Sequence, residues 1–144
     1  MVRNMKVSDA SEVTTRSSPY SVAETVARFN EVVAAKDMKV FPVINHSGEA
    51  SGAGLDLPET RVIIFGSPGE SMSIMESVPL MALELPLKVL VWEDESLTRV
   101  SYTALGARAE RYGLCADVAR ILDGIEPLTD AVIMYTNDTF GVTA

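Results

Sequence analysis

Two long apolar runs and a hairpin signal stand out in the hydrophobic pattern of the chain. Residues 61–66 (RVIIFG) form one continuous apolar run, and residues 83–92 form a second that ends at an acidic turn, residues 93–96. The next segment, residues 97–102, is long enough to pair with the second run as a hairpin. These segments predict the centre of a β-sheet.

Shorter signals predict the elements that come before this centre. Residues 13–17 are Thr-rich and predict an edge strand, and residues 39–44 (KVFPVI) predict another strand, in which Pro42 removes a ladder donor. Between them, Ser21 and Glu24 have the spacing of a capping box, which predicts the start of a helix. The apolar face of that helix follows at helical spacing: Val22, Val26, Phe29 and Val33.

The remaining segments favour loops and helices. Residues 45–54 (NHSGEASGAG) predict a small-residue loop with space for a single helical turn, and residues 68–77 predict a short helix. Residues 104–112 predict a helix that stops at Gly113, and helical segments continue from about residue 115 to 135. The side chains expected to face inward are Met72, Ile74 and Met75 in the short helix, and Val118, Ile121, Leu122, Ile125 and Leu128 in the C-terminal segments.

The order of these elements indicates the fold class. A parallel doubly wound fold needs a helix between most strands, and the hairpin of residues 83–102 breaks that order. The sequence therefore predicts a two-layer α+β fold, with an antiparallel or mixed sheet, helices on one face and a β-α-β-β-β-β-α order. We expect residues 1–10 to be flexible and residues 11–144 to form a single domain with a C-terminal helical tail at 115–136.

Composition narrows the class of protein. A chain of 144 residues that is 47% apolar fits one folded domain, and its net charge of -8 disfavours binding to nucleic acid or to anionic lipid. Cys115 is the only cysteine, so an internal disulfide is impossible. No segment approaches the roughly 20 apolar residues of a membrane span. We therefore expect a cytoplasmic protein that binds neither nucleic acid nor membrane.

Four motifs resemble those of one protein family. Residues 85–94 (LPLKVLVWED) closely resemble the hallmark of the bacterial and archaeal domain-of-unknown-function 302 family. Residues 41–46 (FPVINH), 64–68 (IFGSP) and 111–114 (RYGL) are similar to its other motifs, in the same order. The similarity covers about residues 13–115. It implies a compact α+β domain of TATA-binding-protein-like topology, commonly paired as a homodimer, and it implies no established reaction or cofactor.

The chain departs from this family pattern at several polar positions. Asn45 stands where the family usually has an aspartate, and Ser71 and Met72 occupy the place of a Gly-Thr pair. Tyr102 is followed by Thr103 instead of the usual asparagine. If these positions form a family site, its chemistry is altered or absent here.

Two polar side chains interrupt apolar segments and are candidates for chemistry. His46, the only histidine, could act as an acid, a base or a metal ligand, or it could bond to the backbone and fix its loop. Lys88 could bind an anion or act as an amine nucleophile. Alternatively it could pack along Trp92 and pair with Glu84, with Glu93 or with a partner subunit. His46 has neither a second histidine nor an adjacent aspartate to complete a zinc site or a triad.

The turn at residues 66–71 is a third candidate. It joins a strand to a helix start, where free amides can hold an anion, although it lacks the glycine spacing of a phosphate-binding loop. A tight turn with a cap is the favoured explanation. Five soft side chains could bind copper(I): Met72, Met75, Met81, His46 and Cys115. Methionines at helical spacing are usually core residues, and Cys115 is expected to be a buried thiol. We therefore expect no metal site.

These candidates support three classes of function. The first is a homodimeric binding or regulatory domain for a small anionic or aromatic ligand, without catalysis. Its expected ligand-binding residues are His46, Gly66, Ser67, Ser71 and Lys88. The second is a small enzyme that uses His46 as general base together with Lys88 or Ser71. The third is a structural or protein-interaction domain without a pocket. The first is our working hypothesis.

Overall fold

The computed structural model of the chain describes residues 13–134. The predicted flexible segment, residues 1–10, and the last two residues of the predicted helical tail lie outside the described residues. Within them, a single antiparallel sheet carries helices on one face. The predicted α+β class is confirmed.

The sheet contains six strands in the described part of the chain. They are Val13–Ser18 (β1), Lys39–Val40 (β2), Ile44–Asn45 (β3), Thr60–Gly66 (β4), Leu87–Asp94 (β5) and Leu97–Thr103 (β6). The order across the sheet is β1-β6-β5-β4-β2, and β3 also pairs with β4. In this register Lys88 lies opposite Ile64, and Leu90 lies opposite Ser101. Because side chains alternate along a strand, the register decides which residues share a face.

The helices cover one face and one end of this sheet. They are Val22–Ala35 (α1), His46–Gly52 (α2), Pro68–Ser77 (α3), Ala109–Tyr112 (α4), Ala116–Leu122 (α5) and Ile125–Ile133 (α6). Two 3-10 turns, Pro79–Leu83 and Leu105–Arg108, precede β5 and α4. The residues 45–54 predicted to be a loop therefore contain the seven-residue helix α2.

Helix α1 begins with the capping box predicted from the sequence. The Ser21 hydroxyl accepts a hydrogen bond from the Glu24 amide at 3.1 Å, and the Ser21 amide donates to the Glu24 carboxylate at 3.2 Å. The four apolar positions predicted for α1 are all buried. They pack with α6 against one face of the sheet, where the buried strand residues are Ile63, Phe65, Val89, Val91, Val100 and Tyr102.

A second apolar cluster lies at the end of the sheet where β5 begins. It joins α3, the two 3-10 turns and α5 through buried Ile74, Met81, Leu85, Leu105 and Leu122. Leu87, the first residue of β5, packs against both this cluster and the main core. The start of β5 is therefore held from two sides.

Two predicted strands have different bounds in the structure. Residues 39–44 do not form one strand, because Pro42 has no N–H and the ladder is interrupted between β2 and β3. Phe41 still donates its backbone N–H to the Ile64 carbonyl at 2.9 Å. The strand predicted to begin at Leu83 begins at Leu87 instead, and Leu83 ends a 3-10 turn with 76% of its surface exposed.

Three side chains expected inside the protein are exposed. Met72 is 60% exposed because Ile74 supplies the buried side of α3, and positions two apart on a helix point in different directions. Ile121 is 38% exposed beside buried Leu122, because adjacent positions on a helix also point in different directions. Cys115 is exposed at the N-cap position of α5, where its side chain makes no capping hydrogen bond.

Candidate functional site

The face of the sheet that points away from α1 and α6 keeps most of its side chains exposed or half-buried, and we call it the open face. The side chains that strand pairing and alternation assign to this open face include Val13, Thr15, Ile44, Val62, Ile64, Lys88, Leu90, Trp92, Leu97, Arg99, Ser101 and Thr103. Seven of these are apolar. Val13 is 43% exposed, Ile44 is 40% exposed and Leu97 is 54% exposed. A half-apolar sheet face of this kind is suited to binding.

A cavity of about 460 Å³ opens at this face beside Lys88, and we call it the Lys88 cavity. Its polar lining residues are Glu84, Lys88, Ser101, Tyr102 and Thr103. Its apolar walls come from strands, a 3-10 turn and the start of α6: Val13, Val62, Leu87, Leu90, Leu105 and Ile125. The cavity therefore combines apolar walls with one cation, Lys88, and one carboxylate, Glu84.

Lys88 is the unpaired charge of this cavity. Its side chain is exposed, and it forms no hydrogen bond or ion pair with any residue that the structure describes. The alternative in which Lys88 pairs with Glu84 or Glu93 is not seen among these residues. Glu84 instead accepts a hydrogen bond from the Tyr112 hydroxyl at 2.9 Å. The ammonium group of Lys88 is therefore available to a ligand.

Ser101 and Thr103, two hydroxyl residues of the Lys88 cavity, differ in the number of hydrogen bonds that their side chains make. Ser101 Oγ accepts a hydrogen bond from Trp92 Nε1 at 2.9 Å and is hydrogen bonded to Thr15 Oγ1, also at 2.9 Å. Thr103 has no side-chain hydrogen bond within the described part of the chain. A ligand in the cavity would therefore find the Thr103 hydroxyl free of other side chains on the same wall as Lys88 and Glu84. The sequence indicated Thr103 only as a departure from the family pattern, and the structure places it in the lining of the Lys88 cavity.

A smaller cavity of about 170 Å³ lies at the corner of the sheet under α3, and we call it the corner cavity. Gly66 and Ser71, two residues of the predicted site, both line it. Lys39 lies opposite Gly66 in the β2–β4 pairing, and Gly66 follows Ile64 by two positions on β4. The corner cavity is therefore on the same side of the sheet as Lys88.

The other two predicted site residues lie elsewhere. Ser67 lines a third cavity, of about 490 Å³, between α3 and α5. His46 is exposed as the first residue of α2 and is not among the residues that line these three cavities. The structure thus brings Gly66 and Ser71 together and sets Lys88 on the same face, but it does not bring His46 or Ser67 to the Lys88 cavity. Ligand binding by these residues stays a prediction.

The segment around Asn45 has a clear structural role. Asn45 Oδ1 accepts hydrogen bonds from the Gly48 amide at 2.9 Å and from the Ser47 hydroxyl at 2.7 Å. Ser47 Oγ in turn accepts a bond from the Thr60 amide at 3.2 Å, which ties α2 to β4. Asn45 is therefore the N-cap of α2, a position for which asparagine and aspartate are equally suited.

Metal-binding groups are not gathered in the part of the chain that the structure describes. No group of three or more His, Cys, Asp or Glu side chains lies close enough to hold an ion among residues 13–134. Met81 is buried in the second cluster, whereas Met72 is exposed at the corner cavity.

Tyr102 also lines the Lys88 cavity, from the side of the sheet that faces the main core. Its side chain is 3% exposed, and its hydroxyl has no hydrogen-bond partner within normal distance among the described residues. Burial raises the pKa of this hydroxyl above its ordinary value, and the nearby Arg16 guanidinium offsets part of that rise. Arg16 itself donates to Asp130 at 2.7 Å, and this bond raises the pKa of the guanidinium further.

The fold and the cavities define an α+β domain with an open, half-apolar sheet face. The chain belongs to the family described as "Domain of unknown function DUF302", whose pattern matches residues 13–132. A crystal structure of an uncharacterized conserved DUF302 protein from Bacillus stearothermophilus has the same fold, with a TM-score of 0.72 at 17% identity. That match covers 85% of this chain and 96% of the other.

Curated relatives are longer proteins. The chain is 39% identical over 113 residues to the protein named Fluoride-specific ion channel FluC 1 from Brucella suis biovar 1 (strain 1330), a match that covers 76% of this chain and 44% of the relative. The protein of the same name from Brucella abortus biovar 1 (strain 9-941) is equally similar, with 42% of its length covered. This chain therefore spans less than half of the curated relatives it matches. None of the helices described here has the length and hydropathy needed to cross a membrane.

Proposed function

We propose that the chain is a cytoplasmic, homodimeric domain that binds a small ligand with one acidic group and an apolar body, without catalysing a reaction. The observation that carries the proposal is Lys88, an exposed cation that has no partner among the described residues and lines a mainly apolar cavity. The volume of about 460 Å³ lies within the usual range of small-molecule sites, about 300–1,000 Å³.

The position of Lys88 suits it to orient a ligand. It lies on β5 and pairs with Ile64 of β4, so its backbone is held by the neighbouring strand. An acidic group bound to the ammonium of Lys88 would leave the rest of the ligand against Leu90 and Val62 on the same face. The chain has a net charge of -8, so attraction of an acid depends on this local cation.

The neighbouring carboxylate limits the charge of the ligand. Glu84 lines the same cavity as Lys88 and receives the Tyr112 hydroxyl. A second acidic group on the ligand would be repelled by Glu84, whereas a hydroxyl could bond to Thr103. The ligand class that fits is therefore a monocarboxylic acid with an apolar or hydroxylated body.

The open face supports the homodimeric part of the proposal. Its apolar side chains form a surface that a second copy could cover, and a symmetric pair of copies would use the same patch on both sides. Val13 contributes both to that surface and to the wall of the Lys88 cavity. A partner docked on the open face would then close the cavity from above.

Light scattering coupled to size exclusion tests the oligomeric state. We expect a mass of about twice 15.5 kDa at tens of micromolar protein. A mass of one chain at that concentration would contradict the homodimer.

A thermal-shift screen with a collection of monocarboxylic acids tests the ligand. We expect at least one acid to raise the melting temperature of the parent protein, and the shift to disappear in Lys88→Met. The matched control Lys36→Met removes the same charge from the exposed end of α1, away from the three cavities, and should keep the shift. An acid whose shift survives Lys88→Met binds elsewhere, and the absence of any shift favours the structural-domain alternative.

The enzyme alternative makes a different prediction for the same screen. Catalysis with His46 as general base and Lys88 as second group requires both side chains at one bound substrate. His46 lies at the start of α2, and residues that line the Lys88 cavity do not include it. We therefore expect His46→Ala to bind the acid as the parent does. A loss of binding in a folded His46→Ala protein would favour the enzyme.

A second candidate function concerns fluoride. The supporting observation is the 39% identity to part of proteins named as fluoride-specific ion channels. We propose that the domain, in that setting, binds fluoride or senses it for an associated channel. A fluorine-19 NMR titration tests direct binding. Line broadening that needs Lys88 and is not displaced by chloride would support it, and an unbroadened fluoride signal would exclude direct binding.

A further inference from the structure

The corner cavity differs in chemistry from the Lys88 cavity. Two prolines, two methionines and a phenylalanine supply most of its wall, together with Gly66, Ser71 and Lys39. Lys39 is the only charged residue among them, and no carboxylate lines the cavity. In an acidic chain, this lining has a net positive charge.

The cation is held beside an aromatic ring. Lys39 Nζ lies 4.9 Å from the centroid of the Phe41 ring, a distance at which the ring face attracts a cation. Both residues belong to the segment that runs antiparallel to β4, and Phe41 donates its backbone N–H to Ile64. The ring therefore favours positions of the ammonium beside Phe41, which also lines the cavity.

Gly66 has no side chain, and this leaves part of the corner cavity open. A methyl group at this position would lie 3.6 Å from Pro86 Cβ and 3.7 Å from Ser71 Oγ, both lining atoms, which are ordinary contact distances. The backbone of Gly66 therefore tolerates alanine without overlap. Alanine would nevertheless occupy part of the cavity.

We propose that the corner cavity binds a monocyclic aromatic carboxylate, with the ring inside and the carboxylate on Lys39. The volume of about 170 Å³ is close to that of an apolar protein cavity of about 150 Å³ that takes up benzene. Methionine sulfur makes favourable contacts with aromatic rings, and the cavity offers Met72 and Met75 at one wall. This proposal is independent of the Lys88 cavity.

The test uses methionine methyl groups as reporters. Protein labelled at the methionine methyl carbons is titrated with benzoate, benzyl alcohol and benzylamine, and signals are assigned with single Met→Leu variants. We expect benzoate and benzyl alcohol to shift the Met72 and Met75 signals, because an aromatic ring close to a methyl group changes its chemical shift. Met81, which is 1% exposed in the second cluster, should not move.

Three variants locate the binding contacts. Lys39→Met should weaken benzoate by about fivefold at low salt, the effect of losing one exposed ion pair, and leave benzyl alcohol unchanged. Gly66→Ala should weaken both by about fivefold or more, because added volume in a filled cavity is costly. Lys36→Met is the matched control, because Lys36 is an exposed lysine at the end of α1 that lines none of the three cavities, and it should leave both affinities as in the parent.

Two results would overturn the proposal. The first is the absence of saturable shifts at Met72 and Met75 with benzoate in the millimolar range. The second is a benzoate affinity that Lys88→Met lowers and Lys39→Met does not, which would assign the acid to the Lys88 cavity. Failure of the Lys88 site leaves the methionine shifts unchanged, so the two proposals fail separately.

Discussion

The indole Nε1 of Trp92 donates a hydrogen bond to Ser101 Oγ at 2.9 Å, between strands β5 and β6 on the open face. Ser101 is also hydrogen bonded to Thr15 on β1 at 2.9 Å, so side chains link three neighbouring strands. Trp92 is the only tryptophan in the chain. Its fluorescence therefore reports on the face where we propose that ligand and partner bind.

Removal of the Ser101 hydroxyl should destabilise the protein. Ser101→Ala leaves the half-buried Trp92 N–H without its acceptor, and we expect a loss of about 1–2 kcal/mol in the free energy of unfolding. The measurement is urea unfolding followed by tryptophan fluorescence. Thr103→Ala, on the same strand and face, is the matched control and should change stability by less than about 0.5 kcal/mol. Equal losses in the two variants would mean that the Trp92 bond has no special role.

The apolar core under β5 should not accept a charge. Val89 is fully buried against the main core, so Val89→Asp places a carboxylate without a partner in an apolar interior. The cost of several kcal/mol is comparable to the whole stability of a small domain, and we expect the variant to be unfolded. Leu83→Asp is the control, because Leu83 is 76% exposed. Circular dichroism melts check both, and a cooperative melt of Val89→Asp near the parent temperature would show that β5 is turned the other way.

The elements that could be predicted from the sequence are those whose cause is local. The capping box of Ser21 and Glu24 and the helical spacing of Val22, Val26 and Phe29 act within a few residues, and α1 appears as predicted. The hairpin was also predictable, because two apolar runs flank an acidic segment at residues 93–96. In the structure the turn itself has two residues, Glu95 and Ser96, both with positive φ.

The features that could not be predicted depend on distant partners. Whether Met72 or Ile74 is buried depends on which side of α3 meets the second cluster, and helical spacing alone does not identify that side. The candidate site depends on strand register in the same way. Lys88 and Gly66 share a face because β4 pairs with β5 in one register, while His46 is carried away by helix α2. Of the five residues expected to form one ligand site, only Gly66 and Ser71 line the same cavity.

Charges placed on the open face should dissociate the proposed homodimer without unfolding the chain. Ile44 and Leu97 are 40% and 54% exposed in the single chain, so Ile44→Lys and Leu97→Lys cost little stability in a monomer. In a symmetric dimer each substitution occurs twice, and we expect the dissociation constant to rise about tenfold or more. Light scattering across a dilution series measures it. Leu83→Lys, an exposed apolar position outside the sheet, should behave as the parent, and equal dissociation by all three would indicate a nonspecific effect of charge.

Tyr102 should make the protein sensitive to alkaline pH. Burial raises the pKa of its hydroxyl in the folded state, so the folded protein holds this proton to a higher pH than the unfolded chain does. The stabilisation that results from this raised pKa is fully present below about pH 10, the pKa of tyrosine in the unfolded chain. It is lost as the pH rises from there through the pKa of Tyr102 in the folded protein. Tyr102→Phe should therefore flatten the fall in stability above about pH 10.

The same substitution should cost little at neutral pH. The Tyr102 hydroxyl has no hydrogen-bond partner among the described residues, so Tyr102→Phe should change the free energy of unfolding by less than about 1 kcal/mol, in either direction. Urea unfolding at a series of pH values from neutral to strongly alkaline measures both effects. Tyr20→Phe is the control, since it leaves Tyr102 intact and should retain the alkaline fall of the parent. A Tyr102→Phe protein that loses more than about 2 kcal/mol at neutral pH would show that the hydroxyl makes a stabilising bond, with Arg16 as the nearest candidate.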